Sequence, residues 1–218
     1  MKYVMSDIHG MYDKYIEMLD KISFSKLDEL YILGDIIDRG KDSIKIYKHI
    51  IQNENIILLK GNHELMFQEF YESKEDFNYS NWKYNGGSYT KKSLYKEGVT
   101  FNEFYNFIKN LSFIKVVDNF ILTHASTLIF EKRYIDMLSL EAFIEGQEEE
   151  FCLWDRSNIG GDTFKDYIHI YGHTPVQMIN GTNNITKIDN NIYIDCGACF
   201  KDGRLACIRL DDLKEFYV

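Results

Sequence analysis

Four of the six histidines in this 218-residue chain follow directly on short apolar runs, among glycine, aspartate and asparagine residues. These histidines are His9, His63, His124 and His173, and the carboxylate and amide residues at equivalent points are Asp7, Asp35 and Asn62. Imidazole and carboxylate ligands together suit Mn, Fe or Zn better than Mg or Ca, which prefer shells of oxygen atoms. Asp7 and His9 are close enough in sequence to reach one ion, and Asp35 could bridge to a second. Two ions about 3.5–4 Å apart would clamp a phosphate and activate water near neutral pH.

Short strands are the elements that must position these side chains. The apolar runs are rich in isoleucine and valine and end in polar clusters with glycine, which favours buried strands over helices. The runs cover residues 3–5, 30–33, 56–59, 120–122, 167–171 and 192–194. Helical patterns over 11–22 and 44–51 separate the early runs, and this alternation predicts a parallel sheet in the first half of the chain. Ligands of such sheets gather beyond the carboxyl ends of the strands, so we expect the polar residues there to converge. The residues concerned are Asp7, Asp35, Asn62, His124 and His173.

The rest of the chain carries weaker patterns. Residues 65–111 have a helical pattern, with a capping box at Thr100 and Glu103 and an interruption at 82–87 that is typical of a loop. From residue 180 onward, turn residues separate short alternating runs, which predicts antiparallel strands. The acidic stretch 141–150 is typical of a solvated helix or loop.

Composition limits the classes of partner. The chain has 25 Lys and Arg against 34 Asp and Glu, a formal charge of −9, and 45% hydrophobic residues. That balance argues against a broad nucleic-acid or membrane surface, and no apolar run approaches the length of a bilayer-spanning helix. The length favours one domain or two tightly joined ones.

The cysteines and the N-terminal residues indicate the cellular compartment of the protein. The chain starts with an apolar stretch that leads straight into a polar cluster, without the regions of a secretory leader, so we expect a cytoplasmic protein with reduced cysteines. Cys196 and Cys199 have the spacing of a redox pair or of half a zinc site. Cys152 and Cys207 supply no second pair, which favours small buried residues near a strand end.

Five motifs in order resemble the signatures of the phosphoprotein phosphatase family of metallophosphoesterases. They are Ser6-Asp7-Ile8-His9-Gly10, Gly34-Asp35-Ile36-Ile37-Asp38-Arg39-Gly40, Gly61-Asn62-His63-Glu64, Thr123-His124-Ala125 and Gly172-His173-Thr174. Asn81-Trp82, Asn85-Gly86-Gly87 and Trp154-Asp155-Arg156 are similar to the compact bacterial and phage protein phosphatases. Ser6 and Ala125 stand where the family more often has glycine. The resemblance implies an α/β fold, the calcineurin-like four-layer sandwich of two mixed β-sheets flanked by helices, in a single domain over residues 1–218.

The resemblance also implies a role for each matched residue. The first metal ion would be held by Asp7, His9 and Asp35, and the second by Asp35, Asn62, His124 and His173. His63 would act as the general acid and Asp38 would orient it. Arg39, Arg156 and Asn62 would bind the substrate phosphate, a task that suits guanidinium geometry. The cofactors would be two divalent transition-metal ions, manganese first, with iron or zinc as alternatives.

The activity that the resemblance implies is phosphomonoester hydrolysis by direct attack of water activated between two metal ions. The first substrate class is phosphoserine and phosphothreonine on proteins or peptides. The alternative is a small phosphorylated nucleotide, split by a symmetrical dinucleoside tetraphosphate hydrolase or by a phosphohydrolase acting on RNA ends or cyclic nucleotides. A pseudo-enzyme that only binds phosphorylated partners is disfavoured, because His63, Asp38 and every ligand position are intact.

Overall fold

The computed structural model describes residues 1–73, 75–128 and 132–218, without the side chains of residues 132 and 133. In chain order, the strands of this part are β1 (Lys2–Met5), β2 (Glu29–Ile32), β3 (Ile56–Leu58), β4 (Ile114–Val117), β5 (Phe120–Thr123), β6 (Ile168–Tyr171), β7 (Thr186–Ile188), β8 (Asn191–Tyr193), β9 (Ala206–Arg209) and β10 (Glu215–Tyr217). The helices are α1 (Tyr12–Lys21), α2 (Ser43–Ile51), α3 (Asn62–Ser73), α4 (Asp76–Trp82), α5 (Ser88–Glu97), α6 (Phe101–Ile108), α7 (Lys132–Ile135), α8 (Leu140–Glu145), α9 (Glu149–Trp154) and α10 (Val176–Asn180).

The strands form two mixed sheets of five strands each. The first sheet has the order β10-β9-β1-β2-β3, in which β1, β2 and β3 are parallel and β9 and β10 are antiparallel to their neighbours. The second has the order β4-β5-β6-β8-β7, with a parallel centre and an antiparallel strand at each edge. The predicted parallel pairing in the first half is confirmed. The antiparallel pairing predicted after residue 180 is confirmed for β7, β9 and β10, whereas β8 is antiparallel to β7 but parallel to β6.

Successive side chains of a strand point to opposite faces of the sheet, so each strand contributes residues to two layers of the fold. In β1, Val4 packs in the core between the two sheets, whereas Tyr3 and Met5 pack against the helices on the outer face of the first sheet. In β5, Leu122 faces the core between the sheets and Ile121 faces a third cluster on the outer face of the second sheet. The result is the expected four-layer sandwich of two mixed sheets flanked by helices.

The helical region 65–111 follows the prediction except at its centre. The Thr100 side chain accepts a hydrogen bond from the Glu103 backbone N–H at the start of α6, as the capping box predicts. The interruption predicted at 82–87 is a kink between helices rather than a loop, because Trp82 ends α4 and Lys83–Gly87 forms a π-helical turn whose helical backbone is broken at Gly86. Gly86 accommodates this turn with a φ of 105°, a value open to glycine but strained for other residues.

The acidic stretch 141–150 spans most of α8 and the start of α9, in agreement with the solvated helix or loop that its charge predicts. No helix in the described ranges is both long and apolar enough to cross a membrane.

Candidate metal centre and active site

The predicted site residues lie just beyond the carboxyl ends of parallel strands from both sheets. Asp7 follows β1 and Asn62 begins α3 after β3, whereas His124 follows β5 and His173 follows β6. The Asn62 Oδ1 atom lies 2.9 Å from His124 Nε2 and 3.1 Å from His173 Nδ1. The Asp7 carboxylate accepts a hydrogen bond of 2.9 Å from the His173 backbone N–H. The structure thus brings together residues that are up to 166 positions apart in the chain.

Asp35 occupies the centre of this arrangement. Its Oδ2 atom lies 3.6 Å from His9 Nε2 and 3.8 Å from His63 Nε2, and its Oδ1 atom lies 3.5 Å from His124 Nε2. Two groups of potential metal ligands share this carboxylate, one with His9 and His63 and the other with Asp7 and His124. A carboxylate shared in this way can bridge two ions, as the sequence predicts for Asp35.

Backbone carbonyls fix the direction of two of the imidazoles. The His9 Nδ1 atom donates to the Ile37 carbonyl at 2.8 Å, and the His124 Nδ1 atom donates to the Leu33 carbonyl at 2.6 Å. Because a carbonyl can only accept, each Nδ1 carries the proton and each Nε2 has a free lone pair. Both lone pairs face the carboxylates, as they do when histidine binds a metal ion through Nε2.

The donor set fits divalent cations. The His9 Nε2 atom is buried and has no hydrogen-bond partner, and the His124 Nε2 lone pair faces the Asn62 oxygen, where two electron-pair donors repel. Burial, together with the charges of Asp7 and Glu64, raises the pKa of Asp35 well above its usual value. Burial lowers the pKa of His9 well below its usual value, so its imidazole is in the neutral form that metal ions require. A cation bound here would satisfy these donors and offset the buried charge.

His63 and Asp38 form a hydrogen-bonded pair beside this cluster. The His63 Nδ1 atom lies 2.7 Å from Asp38 Oδ2, and both side chains are buried. The other carboxylate oxygen, Oδ1, accepts hydrogen bonds from Trp82 Nε1 at 3.1 Å and from Thr90 Oγ1 at 2.5 Å. Burial raises the pKa of Asp38 to about 8, and these two donors oppose that shift. Asp38 is therefore in the position expected for the group that orients His63.

The two predicted phosphate-binding arginines differ in their contacts. The Arg39 Nη2 atom donates to His63 Nε2 at 3.1 Å, and its Nη1 atom lies 3.8 Å from Cys199 Sγ. Arg156 is exposed after α9, and its positive charge contributes to the lowered pKa values of His124 and His173. Arg39 therefore lies directly at the site, whereas Arg156 acts on the histidines through its charge.

The site residues occupy unusual backbone conformations. Six of the predicted residues have positive φ angles between 47° and 66°, a region that residues other than glycine rarely adopt. They are Asp7, His9, Asp35, Asp38, Arg39 and His173. Backbone strain of this kind clusters at functional sites, where the surrounding structure holds it in place.

Comparison with known proteins assigns the family. A model described as calcineurin-like phosphoesterase matches residues 3–205 of the chain. The chain belongs to the calcineurin-like phosphoesterase family. The resemblance seen in the motifs is thereby confirmed.

Among the relatives of this phosphoesterase are a protein phosphatase and symmetrical tetraphosphatases. The Serine/threonine-protein phosphatase 2 of Salmonella typhimurium is 27% identical over 95% of this chain and 92% of its own length. The symmetrical bis(5'-nucleosyl)-tetraphosphatase of Buchnera aphidicola subsp. Schizaphis graminum is 26% identical over 94% of this chain and 70% of its own length. A tetraphosphatase of Wigglesworthia glossinidia brevipalpis is 45% identical, but the match spans only 29% of this chain and 24% of that relative.

Solved structures share the phosphoesterase fold. A crystal structure of a proposed diadenosine tetraphosphatase superposes with a TM-score of 0.70 at 15% identity, covering 100% of this chain and 92% of that one. The cold-active protein-tyrosine phosphatase of a psychrophilic Shewanella species superposes with a TM-score of 0.63 at 16% identity, covering 99% and 79%. At these identities the likeness supports the fold alone.

Sequence reasoning left Glu64 of the phosphoesterase without a role. Its buried carboxylate accepts hydrogen bonds from the backbone N–H groups of Asp35 at 2.8 Å, Ile36 at 3.0 Å and Gly61 at 2.9 Å. These bonds tie the loop that carries Asp35 to the start of α3. An acidic residue directly after Gly-Asn-His, at a position that must be buried, is the signal that could have identified it.

The remaining histidines and cysteines lie outside the candidate ligand groups of the described residues. His49 contacts the Tyr15 hydroxyl at 2.9 Å, and His169 is buried with hydrogen bonds to Thr127 and Tyr171. The four cysteines are free thiols, and Cys196 is buried. Cys152 and Cys207 are buried like Cys196, as the sequence predicts, whereas Cys199 is half-buried and lies beside Arg39.

Proposed function

We propose that this phosphoesterase is a protein phosphatase that hydrolyses phosphoserine and phosphothreonine esters. The observation that carries the proposal is the His63–Asp38 pair, joined at 2.7 Å beside a cluster of candidate metal ligands centred on Asp35. That arrangement supplies an acid for the leaving oxygen next to a site for cations. The match to 92% of the length of the Salmonella phosphatase supports protein substrates.

Two divalent ions would be held by the residues that the sequence assigns to them. Asp7, His9 and Asp35 would hold the first, and the second would be held by Asp35, Asn62, His124 and His173. When bound, such ions polarise the phosphate and supply activated water near neutral pH. The donor set of nitrogen and oxygen atoms suits manganese, iron or zinc.

The protein's own groups would bind the phosphate and move the proton. Arg39 donates to His63 Nε2 in the structure, and a substrate phosphate would compete for this guanidinium because bidentate charged hydrogen bonds are stronger than neutral ones. Once Arg39 turns to the phosphate, the Nε2 atom is free to carry a proton to the ester oxygen. Asp38 holds the ring by its Nδ1 atom, and Arg156 adds positive charge at the rim.

The second candidate function is symmetrical cleavage of dinucleoside tetraphosphates. Several relatives carry that name, and one matches 94% of this chain. The same acid and the same ligands would serve a phosphoanhydride, since the chemistry differs in the leaving group rather than in the attack. Because the match covers 70% of that relative, the comparison of lengths favours the protein phosphatase.

A comparison of two substrates tests the choice. The purified chain, loaded in turn with Mn, Fe, Zn, Co or Ni, is offered a phosphoserine peptide and diadenosine tetraphosphate, with p-nitrophenyl phosphate as a reporter of basic activity. The proposal expects the higher kcat/KM on the phosphopeptide. A large preference for the dinucleotide would establish the second candidate instead, and no turnover of any substrate with any metal would overturn both.

We further propose a domain organisation and a cellular compartment for this protein. We treat residues 1–218 as one catalytic domain that acts in the cytoplasm on phosphorylated protein or nucleotide substrates. The chain has 34 acidic and 25 basic side chains, and this negative balance supports the absence of a broad surface for binding nucleic acids or membranes.

A further inference from the structure

One segment of the chain contacts both of the consecutive residues Asp38 and Arg39. The segment runs from Trp82 at the end of α4, through the π-helical turn, to Thr90 in α5. Asp38 and Arg39 have φ angles of 66° and 61°, so their backbone needs outside support to stay in this conformation. The segment 82–90 is placed to supply it.

Thr90 forms two hydrogen bonds with Asp38. Its hydroxyl oxygen accepts a hydrogen bond of 2.8 Å from the Asp38 backbone N–H and donates one of 2.5 Å to the Asp38 carboxylate. The Trp82 indole N–H donates to the same carboxylate oxygen at 3.1 Å. These two donors leave the other oxygen, Oδ2, directed at His63. The Asp38 side chain therefore has a single orientation, and all three groups are buried.

The turn between these two residues packs against Arg39. A Cβ atom placed on Gly86 would lie 2.6 Å from the Arg39 backbone nitrogen, a distance that real side chains do not reach. The glycine thus allows the turn to rest directly on the Arg39 backbone. The same segment supports the carboxylate that orients the acid and the backbone of the arginine beside it.

We propose that Trp82 and Thr90 are positioning residues for the leaving-group acid: they lock the Asp38 carboxylate so that His63 is held in the geometry for proton donation. The inference rests on the proposed function, because it concerns the same pair. It assigns a role in proton transfer to two residues of the helical segment, both of which act through hydrogen bonds to Asp38 rather than through the candidate metal ligands.

Leaving-group dependence gives the decisive test. A phosphoserine peptide needs its alkoxide protonated, whereas the leaving group of dinitrophenyl phosphate departs without help. Since general acid catalysis contributes about 10²–10⁴-fold, we expect Thr90→Val and Trp82→Phe to lower kcat on phosphoserine by on the order of 10-fold or more, and on dinitrophenyl phosphate by less than about threefold. Thr90→Ser keeps the hydroxyl and should restore the activity on phosphoserine. Equal losses on both substrates would overturn the proposal.

Ser93→Ala is the matched control. Ser93 is a buried residue on the same helix, α5, but its hydroxyl accepts from the Ile44 backbone N–H at 3.1 Å instead of contacting Asp38. The control should affect both substrates to the same extent. A selective loss on phosphoserine in this variant would show that any damage to α5 has that effect, and would overturn the assignment.

A spectroscopic readout separates this inference from the proposed function. In the metal-free protein, the His63 Nδ1 proton should give a downfield ¹H NMR signal that persists in Thr90→Ser and Ser93→Ala and is lost in Thr90→Val and Trp82→Phe. If the protein turns over neither phosphate ester, the proposed function fails, and the NMR series still decides whether the two residues hold the pair. A signal unchanged in both variants would overturn the inference even if the enzyme is a phosphatase. Should Thr90→Val fail to fold, Trp82→Phe alone carries both measurements.

Discussion

Asp35 is the residue on which the candidate metal centre depends, because three imidazole Nε2 atoms lie within 3.8 Å of its carboxylate. Replacement by asparagine keeps the shape but removes the negative charge that two cations would share. We expect Asp35→Asn to lower bound metal from about two ions per chain to fewer than one. Metal analysis after gel filtration measures this, with the exposed Asp20→Asn as the control. Full occupancy in Asp35→Asn would exclude a bridging role.

His63 tests the acid assignment. His63→Asn should reduce kcat on phosphopeptides by about 10²–10⁴-fold, because the proton donor is lost, while metal content stays unchanged. Steady-state kinetics measures the loss of kcat, and metal analysis of the same preparation measures the metal content. Loss of metal together with activity would show that His63 is a ligand, a role that its 3.8 Å distance from Asp35 would allow.

His169 provides a pH prediction away from the metal centre. Burial lowers its pKa to about 3, and its Nε2 atom accepts from the Phe164 backbone N–H at 3.1 Å, so the native ring is neutral. The unfolded ring has a pKa near 6.5, so protons favour unfolding below that pH. The free energy of unfolding should fall by about 2 kcal/mol between pH 7 and pH 5 from this residue, at about 1.4 kcal/mol per pH unit. Urea titrations of wild type and His169→Gln check this, and an equal fall in both would contradict it.

At the scale of elements, the loops that follow the strands are held by a few buried groups. Glu64 at the start of α3 accepts three backbone N–H groups, which glutamine cannot match because its amide nitrogen donates. Glu64→Gln should therefore lower the free energy of unfolding by about 1–3 kcal/mol, the usual effect of leaving a buried donor unsatisfied. Chemical denaturation of the metal-free protein measures it. Glu69→Gln, at an exposed position of the same helix, should change little, and equal effects would contradict the role of Glu64.

The sequence predicts the strands and their polar ends well because both signals are local. An apolar run followed by Gly, Asp and His places a side chain beyond a strand without knowledge of distant residues, and this locates Asp7, Asn62 and His173. The partners of Asp38 are different, because Trp82 and Thr90 lie 44 and 52 residues away. Nothing in the pattern of residues 82–87 indicates a π-helical turn, since its backbone follows from packing against Arg39.

At the scale of the whole molecule, the candidate ligands come from both sheets. Asp7 and Asp35 belong to the first sheet's loops and His124 and His173 to the second's, so bound ions would join the two halves. Ligands that bind only the folded state stabilise it by about 2.7 kcal/mol per site at 100 times the dissociation constant. Chelation should lower Tm, and added manganese should restore it in a concentration-dependent way. Scanning calorimetry checks this, and a Tm independent of metal would contradict a site that spans the sheets.

The position of β1 sets the order in which the protein can assemble. β1 lies between β2 and β9, so Tyr3 pairs on one side with Leu30 and on the other with Arg209. During synthesis on a ribosome, the second edge of β1 therefore stays uncovered until some 200 further residues have been made. Contacts so distant in sequence slow folding, because a long stretch of chain must close before they form. The last candidate ligand along the chain is His173, so both cations would be bound only after most of the chain has been made, rather than serve as the nucleus around which it folds.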